Sequence, residues 1–333
     1  MNNKIKIAVE KLNNHDVVAF PTETVYGLGA RIDSEVALKK IFFTKKRPFF
    51  DPLIVHAGTL VQAKSCFKNW NIIAETLTKK FWPGPLTLVM EKSDIISDLI
   101  TSGLSRVGVR IPEHALALQL INEVGIPLAA PSANRFGKTS PTSAAHVRQE
   151  FRDEVFVLDT LEACRIGIES TVLLITESNE ISILRKGALT QTQIINALSG
   201  IEFHWIDVVD KKDSPGHMKH HYMPEIPFVI TKNSSLTVKQ LSEIVLKRLN
   251  ELPDEIESIK IAKPTQLFSK IEFLKLANTP EQAAREIYSQ LRQASERRPD
   301  LLCLILTKDY SLESELWESV FDRLYKAASL IID

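Results

Sequence analysis

Phe20-Pro21-Thr22-Glu23-Thr24-Val25-Tyr26-Gly27-Leu28-Gly29-Ala30 is the stretch that decides how this chain is read. The apolar run at 17–20 has the length of a buried strand. Pro21 ends the ladder, because it has no N–H to give. Beyond it Thr22, Glu23, Thr24 and Tyr26 offer hydroxyls and a carboxylate. Gly27 and Gly29 permit positive φ or the close approach of another group. A strand that opens into a polar, glycine-bearing loop is a common way for an α/β sheet to build a ligand site. An ordinary strand-to-helix connection is the plainer alternative, and this stretch alone is even between the two.

Working outward, an amphipathic helix is expected at 4–12 and a second at about 33–43, capped by Asp33, with Leu38, Ile41 and Phe42 inward. Lys45-Lys46-Arg47-Pro48-Phe49-Phe50-Asp51-Pro52 then leads into a strand at 53–55 that exits at His56. Helices at 60–67, 71–81 and 114–124 alternate with apolar strands at 86–90 and 107–112. Arg110 lies among apolar neighbours in the second of these, so a partner or a ligand is expected for it. An apolar segment at 127–130 runs into Pro131-Ser132-Ala133-Asn134 and a hydroxyl-rich loop. Ser140 or Thr142 is expected to cap the following helix, with Pro141 in its first turn, which makes an anion site. Strands at 155–158, 171–175 and 181–184 follow, and Glu169-Ser170-Thr171 and Arg185-Lys186-Gly187 flank the last two.

The pattern changes near residue 206. Residues 207–227 carry Pro215, Gly216, Pro224 and Pro227 and read as a linker. Strands at 228–230, 259–262 and 301–306 then alternate with helices at 237–250, 280–294 and 313–330, a βαβαβα order that implies a small parallel sheet. The reading is thus a catalytic domain at 1–206, a linker at 207–227 and a small α/β domain at 228–333.

The chain has 333 residues, enough for two cores, and its 41 Lys plus Arg balance 41 Asp plus Glu. Zero formal charge argues against a nucleic-acid coat or a membrane-surface protein. Cys66, Cys164 and Cys303 are far apart, without metal-ligand spacing, which suits a reducing compartment. No secretory core and no membrane-length apolar run is present, so the cytoplasm is the expected location.

Cations and small hydroxyls recur at successive strand ends: Lys45, Arg47, Arg110 and Arg185, with Thr22, Thr24, Ser132, Ser140 and Ser170. There is no nucleophile elbow, Walker loop or zinc spacing. The set therefore suits binding of a polyanion better than covalent catalysis. Each residue alone reads as an ordinary surface group; only their joint recurrence tips the balance. His217, His220 and His221 read by default as linker residues rather than zinc ligands. A lone histidine such as His56 is more often structural than catalytic.

Seven segments, at 21–30, 45–56, 82–86, 107–112, 130–142, 169–172 and 184–187, together resemble the YrdC-like threonylcarbamoyl-AMP synthase family in order and spacing. Ser214-Pro215-Gly216 through His221-Tyr222-Met223-Pro224 resembles the linker of its long, two-domain members. The resemblance implies an α/β fold: a twisted mixed-sheet domain with a concave site, followed by a small Rossmann-like domain. It implies formation of L-threonylcarbamoyl-AMP and pyrophosphate from L-threonine, bicarbonate and ATP, with Mg2+ on the phosphates. A partner transferase would then modify an adenosine of tRNA. By resemblance Lys45 and Arg47 are catalytic. Arg47, Asp51, Ser132, Asn134, Ser140, Arg185 and Tyr222 bind ATP. Thr24, His56, Arg110 and Ser170 bind threonine.

Asp51 departs from the family's usual Asn, Lys46 from a Gly, and Thr160-Leu161-Glu162 from a glycine turn. An acidic Asp51 is unfavourable beside phosphates unless it meets Mg2+ or a cation. The alternatives are an RNA-binding module without synthase activity and a hydrogenase-maturation type of carbamoyl-adenylate domain; the synthase reading itself allows a weak RNA contact. Three prolines and four ring side chains make the linker an expected lid over the nucleotide rather than a tether.

Overall fold

The computed structural model describes residues 3–207, 221–253, 255–256, 259–260, 266–307, 310 and 313–332. They form two compact units. The first takes 3–135 and 141–207; the second takes Phe136–Ser140 and 221–332. The short segment Phe136–Ser140 thus leaves the domain to which the linear reading assigned it. Among the described residues no helix is long and apolar enough to cross a membrane.

The first unit is a ten-stranded mixed sheet. Its strands are β1 (Val18–Phe20), β2 (Gly27–Arg31), β3 (Ile54–His56), β4 (Leu86–Glu91), β5 (Arg106–Arg110), β6 (Leu128–Ala129), β7 (Phe156–Val157), β8 (Thr171–Ile175), β9 (Glu180–Arg185) and β10 (His204–Trp205). Their order is β10-β9-β8-β4-β5-β3-β6-β2-β1-β7. Helices α1 (Asn3–Asn13), α2 (Glu35–Lys45), α3 (Leu60–Ser65), α4 (Ile72–Phe81), α5 (Asp98–Thr101), α6 (Ala115–Val124), α7 (Ala144–Phe151) and α8 (Gln191–Ala197) complete it.

The opening stretch is a hairpin with residues 21–26 as its connection, not one loop running to Ala30. Gly27 and Gly29 are strand residues of β2, paired antiparallel with β1. A side chain at Gly29 would put its Cβ 2.6 Å from the Phe20 ring, so glycine serves close approach here rather than positive φ. Two caps also differ from expectation. Ser34, not Asp33, accepts from the Ala37 N–H, and Ser143, not Ser140 or Thr142, accepts from the His146 N–H. Both chosen serines stand in extended backbone immediately before the first helical residue, where an N-cap oxygen can reach the free N–H groups.

Alternation along the strands sorts the two faces of this sheet. Val55 of β3, Leu86, Leu88 and Met90 of β4, Val107 and Val109 of β5, and Leu173 and Ile175 of β8 enter the main core. Ile54, Val89, Val172, Leu174 and Leu184 form a smaller cluster on the opposite face. His56, Thr87, Arg110 and Ser170 share the parity of that second face.

The second unit holds β11 (Phe228–Thr231), α9 (Val238–Glu251), the hairpin β12 (Glu255–Ile256) and β13 (Ile259–Lys260), β14 (Ile271–Leu274), α10 (Pro280–Glu296), β15 (Leu301–Ile305), α11 (Glu315–Ala327) and β16 (Leu330–Ile332). Its main sheet is parallel throughout, in the order β14-β15-β11-β16. The strand expected at 259–262 is not in this sheet. Residues 259–260 pair with 255–256 in the hairpin, and β14 takes the sheet position. Residues 261–262 lie outside the described residues. The helix expected at 313–330 stops at Ala327, and its last residue begins β16.

Candidate active site

Arg110 closes β5 and is buried on the second face. An unpaired buried cation is costly, and the chain surrounds this one with acceptors. Nη1 donates to Glu23 Oε1 at 3.1 Å, and Nη2 donates to Thr22 Oγ1 at 3.1 Å and Thr24 Oγ1 at 3.0 Å. Nε donates to His56 Nε2 at 2.9 Å. The other Glu23 oxygen accepts from the Glu113 N–H at 3.0 Å. Burial pulls the guanidinium below its ordinary pKa, and Glu23 opposes this. It stays charged, as arginine does in proteins.

These contacts define the neighbours' protonation. His56 Nε2 must be an acceptor, so the proton sits on Nδ1, 3.1 Å from the Ile54 carbonyl that it meets. Burial first, and then Arg110, hold this imidazole well below the usual histidine range. Both nitrogens are engaged, so His56 orients Arg110. Thr22 donates to the Val25 carbonyl at 2.6 Å and accepts from the N–H groups of Thr24 and Val25, each at 3.2 Å. The Thr24 hydroxyl, 2.8 Å away, therefore donates to Thr22. Among the described residues this leaves a Thr24 lone pair and one Arg110 Nη1 hydrogen for a ligand.

Lys45 ends α2 and is fully buried. Its Nζ donates to the Ser132 carbonyl at 2.6 Å and to the Asn134 carbonyl. Burial first, and then Arg47, push this ammonium well below the usual lysine value, while Glu150 and Asp51 oppose them. Lys46 adopts the left-handed conformation, φ 52°, and caps the helix. A usual glycine there and this lysine meet the same backbone demand, at some strain for the lysine.

The turn sends Arg47 inward, not into solvent as a polar loop suggests. Its Nη2 meets Asp51 Oδ2 at 2.9 Å, and its Nε and Nη2 donate to the carbonyls of Asp51 at 3.1 Å and Pro52 at 2.7 Å. Asp51 thus finds its cation within the chain. Arg185, at the end of β9, donates from Nε and Nη2 to the Ser170 carbonyl, at 3.2 and 3.1 Å, and from Nη2 to Ser170 Oγ at 3.1 Å. Thr87 Oγ1 stands 2.8 Å from that hydroxyl. A Cβ on Gly187 would lie 2.3 Å from the Thr171 nitrogen, so only glycine lets this turn close on Ser170.

The first unit thus brings together Thr24, His56 and Arg110; Lys45, Ser132 and Asn134; Arg47 and Asp51; and Ser170 and Arg185. Ser140 and Tyr222 fold in the second unit. There Thr139 Oγ1 donates to the Tyr222 carbonyl at 3.0 Å, and the Tyr222 ring lies 5.5 Å from that of Tyr288. Of the expected lid, the part before His221 lies outside the described residues. Glu23, Glu113 and Thr87 were absent from the sequence-based set. A carboxylate directly after Pro-Thr, set between two threonines at the exit of an apolar strand, is the signal that points to Glu23.

For Mg2+, Asp51 is spoken for by Arg47. Among the described residues no group of three or more His, Cys, Asp and Glu could hold a metal ion.

A family model described as "Telomere recombination" matches residues 10–187, and one described as "Threonylcarbamoyl-AMP synthase, C-terminal domain" matches residues 189–329. The chain is 37% identical over 328 residues to a Pyrococcus abyssi protein named threonylcarbamoyl-AMP synthase, covering 98% of this chain and 94% of the relative. It is 41% identical over 241 residues to a Bacillus subtilis protein of the same name, covering 72% and 69%. A crystal structure of a Pyrococcus abyssi protein complexed with L-threonine matches with a TM-score of 0.79 at 33% identity, covering 99% of this chain and 96% of the other.

Proposed function

The chain belongs to the threonylcarbamoyl-AMP synthase family, and on that premise we propose that it joins L-threonine, bicarbonate and ATP into L-threonylcarbamoyl-AMP, with release of pyrophosphate and water. The threonine amine and bicarbonate give a carbamate as water leaves. A carbamate oxygen then forms a bond to the α-phosphorus as the bond to pyrophosphate breaks. Such a step needs positioning and charge neutralisation rather than a protein nucleophile.

The observation that carries this reading is the unequal matching of buried cations in one unit. Arg110 is neutralised by Glu23 and keeps one directional donor, which suits a single carboxylate. Lys45 is held by neutral carbonyls and keeps its charge unmatched at close range, which suits a polyphosphate. Lys45 and Arg47 are the catalytic pair in this reading. Ser132, Asn134 and Arg185 serve the nucleotide, with Asp51 positioning Arg47. Thr24, Arg110 and Ser170 serve threonine, with His56 positioning Arg110. Mg2+ enters with the substrate as MgATP.

The polar sheet face is the concave site of this reading, and the cytoplasm is its setting. The product passes to a transferase that modifies tRNA, and any RNA contact of this chain itself is weak. The parallel C-terminal sheet supports a Rossmann-like description of that unit, to which we assign no chemical step. The test is pyrophosphate release from MgATP, measured with threonine and bicarbonate each omitted. Release should require both. Equal release without threonine overturns the reading.

A further inference from the structure

Arg135 lies outside the residues assigned so far, yet it touches the residue beside Lys45. Its Nη1 donates to the carbonyl of Thr44, the residue immediately before Lys45. Its Nη2 meets both carboxylate oxygens of Glu154, at 2.7 and 2.8 Å, and its guanidinium lies 5.0 Å from the centre of the Phe151 ring. The Arg135 N–H donates to Glu150 Oε1 at 3.1 Å, and the Asn134 side chain donates to the Arg135 carbonyl at 2.8 Å.

Lys45 runs the other way, from α2 to the carbonyls of Ser132 and Asn134. The two stretches, 44–45 and 132–135, are thus tied by side chain-to-backbone bonds in both directions. We propose that Arg135 is a positioning residue for the nucleotide, the second half of a two-way clasp that holds the 132–134 segment against the end of α2. This deepens the reading of Lys45 and Asn134 as nucleotide contacts and rests on it.

Two features make the arginine specific. Its planar fork points one nitrogen at Thr44 and another at Glu154, a fixed spacing of two donors that the single nitrogen of a lysine does not reproduce. Its charge also bears on Lys45, which Arg47 and Asp51 face from the following loop and Glu150 faces from α7.

The experiment measures pyrophosphate release with ATP or threonine varied, and calorimetric binding of a non-hydrolysable ATP analogue. It compares the full chain with Arg135→Ala, Arg135→Lys and Glu154→Gln. Misplacement of about 1 Å can cost on the order of 100-fold, so Arg135→Ala should raise KM for ATP by at least about tenfold and leave KM for threonine within about twofold. Glu154→Gln, which keeps one acceptor oxygen for the Arg135 guanidinium and removes the second oxygen and the charge, should shift ATP affinity in the same sense and less. The alkaline limb of kcat/KM for ATP should move to higher pH in Arg135→Ala, because removal of a neighbouring cation raises Lys45. It should stay in place in Arg135→Lys, where only the geometry is lost. Unchanged ATP affinity in Arg135→Ala, or equal rises in both KM values that follow a lowered melting temperature, overturns the clasp alone. A wild-type chain that bound no ATP analogue would overturn the functional reading and the clasp with it.

Discussion

Around Arg110 the chain supplies a carboxylate, two hydroxyls and an imidazole nitrogen; around Lys45 it supplies two backbone carbonyls. Both cations are buried in the same unit, 4% and 1% exposed, so both forfeit hydration. The difference lies in what a bound anion would find. A ligand at Arg110 meets a pair that is already neutral, and what it gains is direction from a rigid fork. A ligand at Lys45 meets a charge that backbone dipoles hold directly and Glu150 and Asp51 reach without a direct bond, and what it gains is Coulombic. Neutral pairing suits discrimination of a small zwitterion, and a residual charge suits a triphosphate whose negative charge shifts onto the leaving pyrophosphate as the bond breaks.

The largest expected effect tests the first half of that contrast. Glu23→Ala leaves the Arg110 guanidinium buried without its counter-charge, a situation that costs about 3–5 kcal/mol. Urea unfolding should show that loss through the midpoint at unchanged slope. A loss below about 1 kcal/mol would mean that the hydroxyls and imidazole suffice, and that Glu23 is no counter-ion.

Lys45→Met tests the second half. It removes a charge and leaves two carbonyls short of a donor, at about 1–3 kcal/mol each, and relief of the buried charge, whose lost hydration is itself costly, offsets most of that. The unfolding penalty should therefore be smaller than for Glu23→Ala, while binding of an ATP analogue is lost. A penalty as large as that of Glu23→Ala would erase the distinction between the two sites.

The smallest effect comes from His56. Its folded pKa is depressed by burial and by Arg110, so in the window between that value and the unfolded value, about 6.5, the unfolded chain binds more protons. Its contribution to stability is complete above that unfolded value and falls as pH drops through the window, by at most about 1.4 kcal/mol per pH unit. Unfolding free energies from pH 7 downward should show a steeper decline for the wild type than for His56→Gln. Parallel declines would place a proton acceptor elsewhere.

Element by element, legibility followed the range of the forces involved. Helices α1, α4, α6 and α10 were read within a residue or two, because an apolar stripe and a local cap specify them over one or two turns. The Thr279 cap with Pro280 in the first turn stands as the local chemistry requires. Gly27 to Arg31 was not legible as a strand. Glycine is a poor strand former, and what holds β2 is its pairing with β1 and with β6, about a hundred residues away. The strand at 271–274 was passed over for 259–262 for the same reason. Both are short apolar runs, and only pairing with Leu301 to Leu304 selects one of them.

The site divides along the same line. Residue types and their order singled out Lys45, Arg47, Arg110, Ser170 and Arg185 as a set, and the structure buries every one of them. The sequence by itself also determined which strand faces are apolar, through the period of two in Val107-Gly108-Val109-Arg110. Only the tertiary structure decided what each polar group meets. Arg110 is 87 residues from Glu23, Lys45 is 87 from Ser132, and Arg135 is 91 from Thr44. No spacing rule reaches across such separations. A buried charge accepts whichever partner the fold brings within about 3 Å, since desolvation makes an unmatched charge far more costly than any local preference can offset.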